Sequence, residues 1–360
     1  MNKRLVSLDV FRGMTIAAMI LVNNIEGQTY SQLRHSAWDG LTFADSIFPF
    51  FLWIIGVAMV FSFKRRLDQK TDKTKLLLHI FRRSLILFAL GLFLNGFPYF
   101  NLGTIRIMGV LQRIALCYFV TSIILIFTKV RTQVILLITL ILGYVFLLEF
   151  VPVPGLGAGQ LSLGHNIVQY VDNLLLKDHM LAIDFDPEGI VSTLGAIATV
   201  IFGVLTGEFL LASKFNHSKR VLWMGAAAVG LTVVGLVMNI WLLVNKDLWT
   251  SSYVVITAGL ATGAFALLYF IIEAKEYKKW STAFTIYGMN AISIYILSSL
   301  FTRSLMIIQW QGMSLRDFIY NFYLSVASAQ NASLLFAFTH VLIFYGVAYL
   351  MFKRGLFIKI

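Results

Sequence analysis

The stretch RHSAWDGLTFADSIFPFF, Arg34 to Phe51, places a histidine, two aspartates, an arginine and a tryptophan directly ahead of an apolar run. His35, Asp39 and Asp45 are residue types suited to general acid–base work. A carboxylate beside an imidazole fixes its tautomer and raises its basicity. If residues 35–39 form a helical turn, His35 and Trp38 share a face. Thr42 and Asp45 share one if helix has begun there. Spacing alone leaves His35 open as a base or as a loop bystander. His79, His165, His179, His217 and His340 are scattered, and no pair has the spacing of helical zinc ligands, so no metal is expected.

Stepping outward from that cluster, composition sets the class of the elements that hold it. The 360 residues are 59% hydrophobic and only 13% charged, with a mean hydropathy of +0.81. A soluble domain carries about 25% charged residues. The expectation is an all-α polytopic membrane protein forming one membrane domain. No signal-peptide cleavage pattern opens the chain. The single cysteine, Cys117, excludes an intramolecular disulfide.

Ten apolar runs of about 20 residues can be walked off. They lie near 8–24, 44–63, 76–95, 106–127, 132–150, 189–212, 220–244, 251–272, 281–301 and 332–352. One set of connections and tails holds most of the basic residues, including Lys3, Arg4, Lys64, Arg65, Arg66, Lys70, Lys129, Arg131, Lys219, Arg220, Lys279, Lys353 and Lys359. The positive-inside rule then puts both termini in the cytoplasm. The net charge of +12 is therefore a topology signal, and no nucleic acid partner is expected. The opposite face has the longer loops, 25–43, 151–188 and 302–331. It is richer in acids, among them Asp39, Asp45, Asp184, Asp186, Glu188 and Asp247. A short surface helix is expected around SLRDFIYNFYL.

Ionisable groups at bilayer depth are costly and mark function. Asp9 and Arg12 share a helix face, as do Arg106 and Arg113, with Gln112 adjacent. Asp9 with Arg12 reads as an ion pair or a site, and Arg106 as a headgroup contact or a site. Asn290, in YGMNAISIY, reads as an interhelical hydrogen-bonding group or a substrate contact.

Six ordered blocks add a resemblance. They are RLVSLDVFRGMTIAAMILVNN, HSAWDGLTFADSIFPFFLWIIG, RIMGVLQRIALCYF, DPEGIVSTLGAIATVIFGVLTG, LWTSSYVVITAGLA and YGMNAISIY. Together they resemble the bacterial relatives of heparan-α-glucosaminide N-acetyltransferase, a family of transmembrane acyltransferases. Lysosomal members carry an extra lumenal domain and leading helix, which this chain is expected to lack. The resemblance implies transfer of acetyl from acetyl-CoA to a terminal glucosamine across the membrane, here the bacterial inner membrane. It implies a homodimer as well. It carries the catalytic histidine of H-x-x-W onto His35, the asparagine of VN onto Asn23 and the aspartate of T-x-A-D onto Asp45.

In that reading His35 is a general base or an acyl-accepting nucleophile, Asp45 orients it, and Asn23 donates to the oxyanion. Asp186 and Glu188 are candidates to hold an acceptor amine, or else cap the sixth span with Pro187 at its first position. Trp38 and Trp249 are candidates to stack on a sugar ring, and Asn290 to contact the acceptor. Asp9, Arg12, Arg106, Gln112, Arg113 and the Lys64–Arg66 cluster are candidates for coenzyme A. A transporter of amino sugars or cell-wall fragments is the alternative, and a non-catalytic partner subunit a third reading.

Overall fold

The computed structural model describes residues 5–68, 72–183 and 185–358, without the side chains of 65, 67 and 68. Lys3, Arg4, Lys70, Asp184 and Lys359, and the side chain of Arg65, therefore lie outside the described residues.

Apolar runs this long have one low-energy form in a bilayer, because only a helix satisfies every backbone group within its own segment. The long helices are α1 (Val6–Asn23), α2 (Phe43–Asp68), α3 (Lys73–Gly96), α4 (Val110–Phe127) and α5 (Val130–Phe150). After the short α6 (Ile167–Leu176) come α7 (Thr193–Ala212), α8 (His217–Met238) and α9 (Ser251–Tyr269). Then α10 (Thr282–Met289), α11 (Ala291–Ile307), α12 (Leu315–Val326) and α13 (Ala329–Lys353) complete the chain. The only strands among the described residues form a two-residue hairpin, Gln309–Trp310 with Met313–Ser314. The fold is an all-α polytopic membrane protein. Among the described residues nine helices are long and apolar enough to cross a membrane, and the bent pair α10–α11 makes a tenth if it is one span.

Polar residues punctuate the helices where they leave the apolar layer. Asp72 caps α3, Asn166 caps α6, Asn216 caps α8 and Ser314 caps α12, each accepting from a backbone N–H two or three residues on. The surface helix expected around SLRDFIYNFYL is α12.

Three boundaries differ from the sequence expectation, and each difference builds the site. The fourth span begins at Val110, because Asn95 bonds the carbonyls of Arg106 and Met108 and holds that segment extended. The seventh ends at Met238, leaving residues 239–250 as a structured loop. The ninth breaks by 70° at Asn290. There the side chain bonds Leu356 O and Ile358 N, tying the kink to the C-terminal tail.

The centre is made by α2, α7, α9 and α1. Close approach of α2 to α7 depends on Gly56 and Gly203. A Cβ on Gly56 would lie 2.1 Å from Val200 O, and one on Gly203 2.0 Å from Trp53 O. Small residues at such crossings replace the hydrophobic drive that lipid cannot supply. Trp53, Leu52, Val57, Tyr253 and Phe265 fill the remaining space. By contrast α5 and α8 show Leu142, Phe146, Leu222, Val229 and Val233 on an outer face suited to lipid.

The contacts also sort the connections onto two ends. One end gathers the loops 24–42, 97–109, 151–192 and 239–250. At the other, Glu273, in a π-turn (Phe270–Ala274) after α9, accepts from Ser7 N at the start of α1. Leu356 reaches Asn290, next to Gly288, whose carbonyl holds Arg12, so the start of α1 and residues 356–358 share this second end.

Candidate active site

The site starts with a helix cap. Thr42 and Asp45 form a reciprocal box at the start of α2: Thr42 Oγ1 accepts from Asp45 N, and the Asp45 carboxylate accepts from Thr42 N at 3.1 Å. The same carboxylate takes Ser36 N at 3.0 Å, Thr42 Oγ1 at 2.9 Å and His35 Nδ1 at 2.8 Å. Asp45 is 1% exposed, while the His35 side chain is 48% exposed. A carboxylate that only accepts places the proton of the neutral ring on Nδ1. Nε2 then presents its lone pair to the open side. The residues 35–42 are not a helical turn; they curl around Asp45, which is how residues ten apart meet.

A second loop locks this arrangement. Residues 239–250 lie against residues 38–40: Gly40 N donates to Val244 O, Val244 N to Asp39 Oδ1, and Asn245 Nδ2 to Trp38 O. Asn245 also accepts Leu248 N at 2.6 Å, closing a tight turn with Trp249 in the left-handed region at φ +53°. The turn aims Lys246 at the histidine. Its Nζ lies 3.2 Å from His35 Nδ1, 3.3 Å from Nε2 and 3.9 Å from Asp45 Oδ1.

Beside this lies a closed ionic cluster. Arg106 Nε and Nη2 grip the Asp186 carboxylate at 2.7 and 2.5 Å, and Nη2 also reaches Glu188. Asp186 further accepts Leu181 N and Glu188 N. Burial opposes ionisation of Glu188, but the charges of Arg106, Arg113 and Lys246 outweigh it and hold the carboxyl below its ordinary range. Burial likewise works against the Arg106 cation, and its two carboxylates more than offset it. No helix starts at Asp186; α7 begins at Thr193, so the expected cap is instead a hub of the 181–189 loop.

Arg113 is fully buried. Its Nη2 bonds Gly189 O at 3.2 Å and Ser192 Oγ, and the guanidinium lies over the Trp249 ring, 4.8 Å from its centroid. Trp249 itself is buried between Phe48 and Tyr253, with Nε1 bonded to Thr199. No face of it is open to a sugar. Trp38 is half-buried, donates to Leu161 O, and packs on the cluster of Tyr144, Leu148 and Val153.

Two cavities lie along the same helices. The outer one, about 590 Å³, is lined by Asn23, Asn24, Asn95, Arg106, Gln112, Tyr295, Ser298, Thr302 and Arg303, among others. The inner one, about 480 Å³, is lined by Arg12, Ser62, Arg66, His79, Arg83, Tyr118, Gly288 and apolar residues. Leu87 and Gly91 on α3, Ile114 and Leu111 on α4, and Ile292 and Tyr295 on α11 put the two cavities on successive turns of shared helices. Gln112 is buried at the floor of the outer cavity, and its amide has no partner among the described residues.

The expected site residues thus separate into groups. His35 and Asp45 meet. Asn23 and Gln112 face the outer cavity together with Arg106, whose guanidinium is held by Asp186 and Glu188. Asp9 pairs with Arg12 at 2.7 Å, and Arg12 faces the inner cavity, close to Asn290 at the kink. Arg113 and Trp249 line neither cavity. Sequence reasoning passed over Lys246, which lies 211 residues from His35 behind an expected span. It also passed over His79 and Arg83, which with Arg82 are three basic residues inside a largely apolar run that could have been flagged by that fact alone.

The fold and this site define a polytopic membrane protein with a histidine–aspartate pair at one end and a basic cavity at the other. Residues 4–172 match the family model described as heparan-alpha-glucosaminide N-acetyltransferase, catalytic. The chain is 30% identical over 352 residues to heparan-alpha-glucosaminide N-acetyltransferase of Mus musculus, covering 81% of this chain and 53% of that protein. It is 32% identical over 355 residues to the Homo sapiens protein of the same name, covering 81% and 52%. The chain spans about half the length of these curated relatives. Over these stretches it is similar to the heparan-alpha-glucosaminide N-acetyltransferase family.

Proposed function

We propose that this protein transfers acetyl from acetyl-CoA on the cytoplasmic side to the amine of an amino sugar outside a bacterial inner membrane. The observation that carries this reading is the His35–Asp45 pair. It is a base with a fixed tautomer, its carboxylate saturated and buried, its free nitrogen open at the loop-rich end. The end with most basic residues is the cytoplasmic one by the positive-inside rule.

The chemistry follows from the residues. An amine attacks a thioester only with its lone pair free. His35 Nε2 takes the amine proton as the nitrogen–carbon bond forms, and Asp45 stabilises the imidazolium across the 2.8 Å hydrogen bond. When the carbon–sulfur bond breaks, the same proton passes to the leaving sulfur and His35 is restored. One base thus serves both halves of the reaction.

The two cavities suit the two substrates. Arg12, Arg66 and Arg83 on the inner side match the phosphates of coenzyme A, whose pantetheine arm would run outward along α3, α4 and α11. The unpartnered Gln112 amide matches the arm's amides there. The amides and hydroxyls of the outer cavity match a sugar. Purified protein in nanodiscs, given radiolabelled acetyl-CoA and glucosamine, is expected to label the sugar. His35→Ala is expected to lose activity by about 10³-fold while binding acetyl-CoA as before. Labelling that survives in His35→Ala would overturn the assignment of the base, and sugar accumulating in vesicles without acetyl-CoA would favour transport.

A further inference from the structure

Lys246 has more donors than partners. Its side chain is 17% exposed, and an ammonium carries three N–H groups. Among the described residues its polar neighbours are the two His35 ring nitrogens at 3.2 and 3.3 Å and the Asp45 carboxylate at 3.9 Å. Near-equal distances to both nitrogens are possible only over the ring face. In the ring plane the carbon between the nitrogens would collide with Nζ. Ring lone pairs lie in that plane, so the lysine does not consume the Nε2 lone pair. Among the described residues no carbonyl or hydroxyl accepts its remaining N–H groups. A half-buried cation is thus held over the reacting nitrogen with donors to spare.

The placement is built rather than incidental. Asn245 is fully buried, bonds Trp38 O with its amide and Leu248 N with its carbonyl, and so joins the loop just after His35 to the turn that bears Lys246. Thr250 adds a bond to Leu243 O, and Asn245 N donates to Thr250. The cation is offset by Asp45, and by Asp247 and Glu188, which feel its charge. Burial raises the Asp247 carboxyl, and the nearby lysine opposes that rise.

We infer that Lys246 is the catalytic cation that receives the oxyanion of acyl transfer. The inference rests on the acetyltransferase reading above. As the amine bound at Nε2 forms its bond to the thioester carbon, the carbonyl electron pair moves onto oxygen. Nζ lies over the ring beside that nitrogen, so the new oxyanion is its nearest available acceptor. The charges then balance: Asp45 faces the imidazolium and Lys246 faces the alkoxide. When the oxyanion collapses, the carbon–oxygen double bond reforms and sulfur leaves with the proton from His35. A donor preset where charge develops needs no reorganisation, which is the general source of such catalysis. Asn23, facing the outer cavity, remains available to the substrates.

The test compares wild type, Lys246→Met and Lys246→Arg in nanodiscs. It measures kcat, KM for both substrates, acetyl-CoA affinity and thermal unfolding. Lys246→Met is expected to lower kcat by about 10²-fold or more, with acetyl-CoA affinity and KM within threefold of wild type. Lys246→Arg keeps the charge and is expected to recover at least tenfold of the loss. A Lys246→Met kcat within threefold of wild type overturns the inference. So does a loss confined to KM or to acetyl-CoA affinity, or a failure of arginine to rescue while both variants unfold like wild type. No transfer by the wild-type protein itself would remove the acetyltransferase reading and this inference with it. Transfer that Lys246→Met leaves intact removes only the inference.

Discussion

The outer and inner cavities share α3, α4 and α11, yet Arg106 in the one and Arg66 and Arg83 in the other are held in opposite ways. In the outer cavity Arg106 is committed: two carboxylates hold it from behind, so what faces the space is largely amide and hydroxyl. In the inner cavity Arg12 is paired with Asp9, but Arg66 and Arg83 are less committed. Among the described residues Arg66 bonds the ring of His79, and Arg83 lies over Tyr118 with its Nε unpartnered. The difference teaches which arginines build and which are left to bind. An arginine closed by carboxylates holds loops together, and one left with rings and carbonyls has charge to offer a phosphate.

The largest expected effect breaks the outer half of that comparison. Arg106→Met leaves Asp186 and Glu188 buried without their counter-charge. Removing one partner of a buried ion cluster costs about 3–5 kcal/mol. Thermal unfolding in detergent is expected to show that loss, and acetyl-CoA affinity measured below the transition is expected to stay near wild type. A variant that unfolds like wild type but loses acetyl-CoA would put Arg106 among the binding arginines instead.

A smaller effect comes from the third carboxylate of this end. Asp172 accepts Ile190 N at 2.9 Å and Val191 N at 3.4 Å through Oδ1, while Oδ2 is buried without a partner among the described residues. Burial, with a contribution from Asp186, pushes it up to about 6. The folded value lies above the unfolded one, so the folded state binds more protons between the two. Stability from this group is present at low pH and lost as pH rises through 6. Asp172→Asn, which cannot ionise, is expected to gain about 3 kcal/mol at pH 8 and little at pH 4. Unfolding at the two pH values checks the sign, and an equal change at both would refute the titration.

How much of this was readable beforehand follows from what is local. The membrane helices were, because hydropathy over about 20 residues is a property of one segment. His35 with Asp45 was, through the resemblance that carries H-x-x-W and T-x-A-D onto them. Lys246 was not: it was expected in a short connection after the seventh span, and only the bonds from Asn245 and Val244 to residues 38–40 bring it to His35. Arg106, Asp186 and Glu188 were picked out singly, as donor and acceptor sites. Sequence shows which residues carry charge at depth, but pairing across 80 residues decides whether that charge is still available. Arg113 and Trp249 show the same limit, each the other's partner in the core.

The inner half of the comparison is tested by the smallest effect. Arg83 projects from α3 into the inner cavity, and among the described residues its guanidinium lies over Tyr118 with Nε left without a hydrogen-bond partner. A charged hydrogen bond to phosphate is worth about 1.5–3 kcal/mol, so Arg83→Ala is expected to weaken acetyl-CoA binding about tenfold or more. Arg66→Ala is expected to act in the same direction by less, since Arg66 is shared with His79 and closer to solvent. Neither touches the outer cavity, so KM for glucosamine is expected to stay within about twofold. The decisive comparison uses desphospho-coenzyme A, which lacks one phosphate group. If Arg83 meets the phosphate that is missing there, wild type and Arg83→Ala bind the shortened molecule alike, and the tenfold gap closes. A gap of the same size with both donors would assign Arg83 to a remaining phosphate, and no gap with either would leave it as a packing residue over Tyr118.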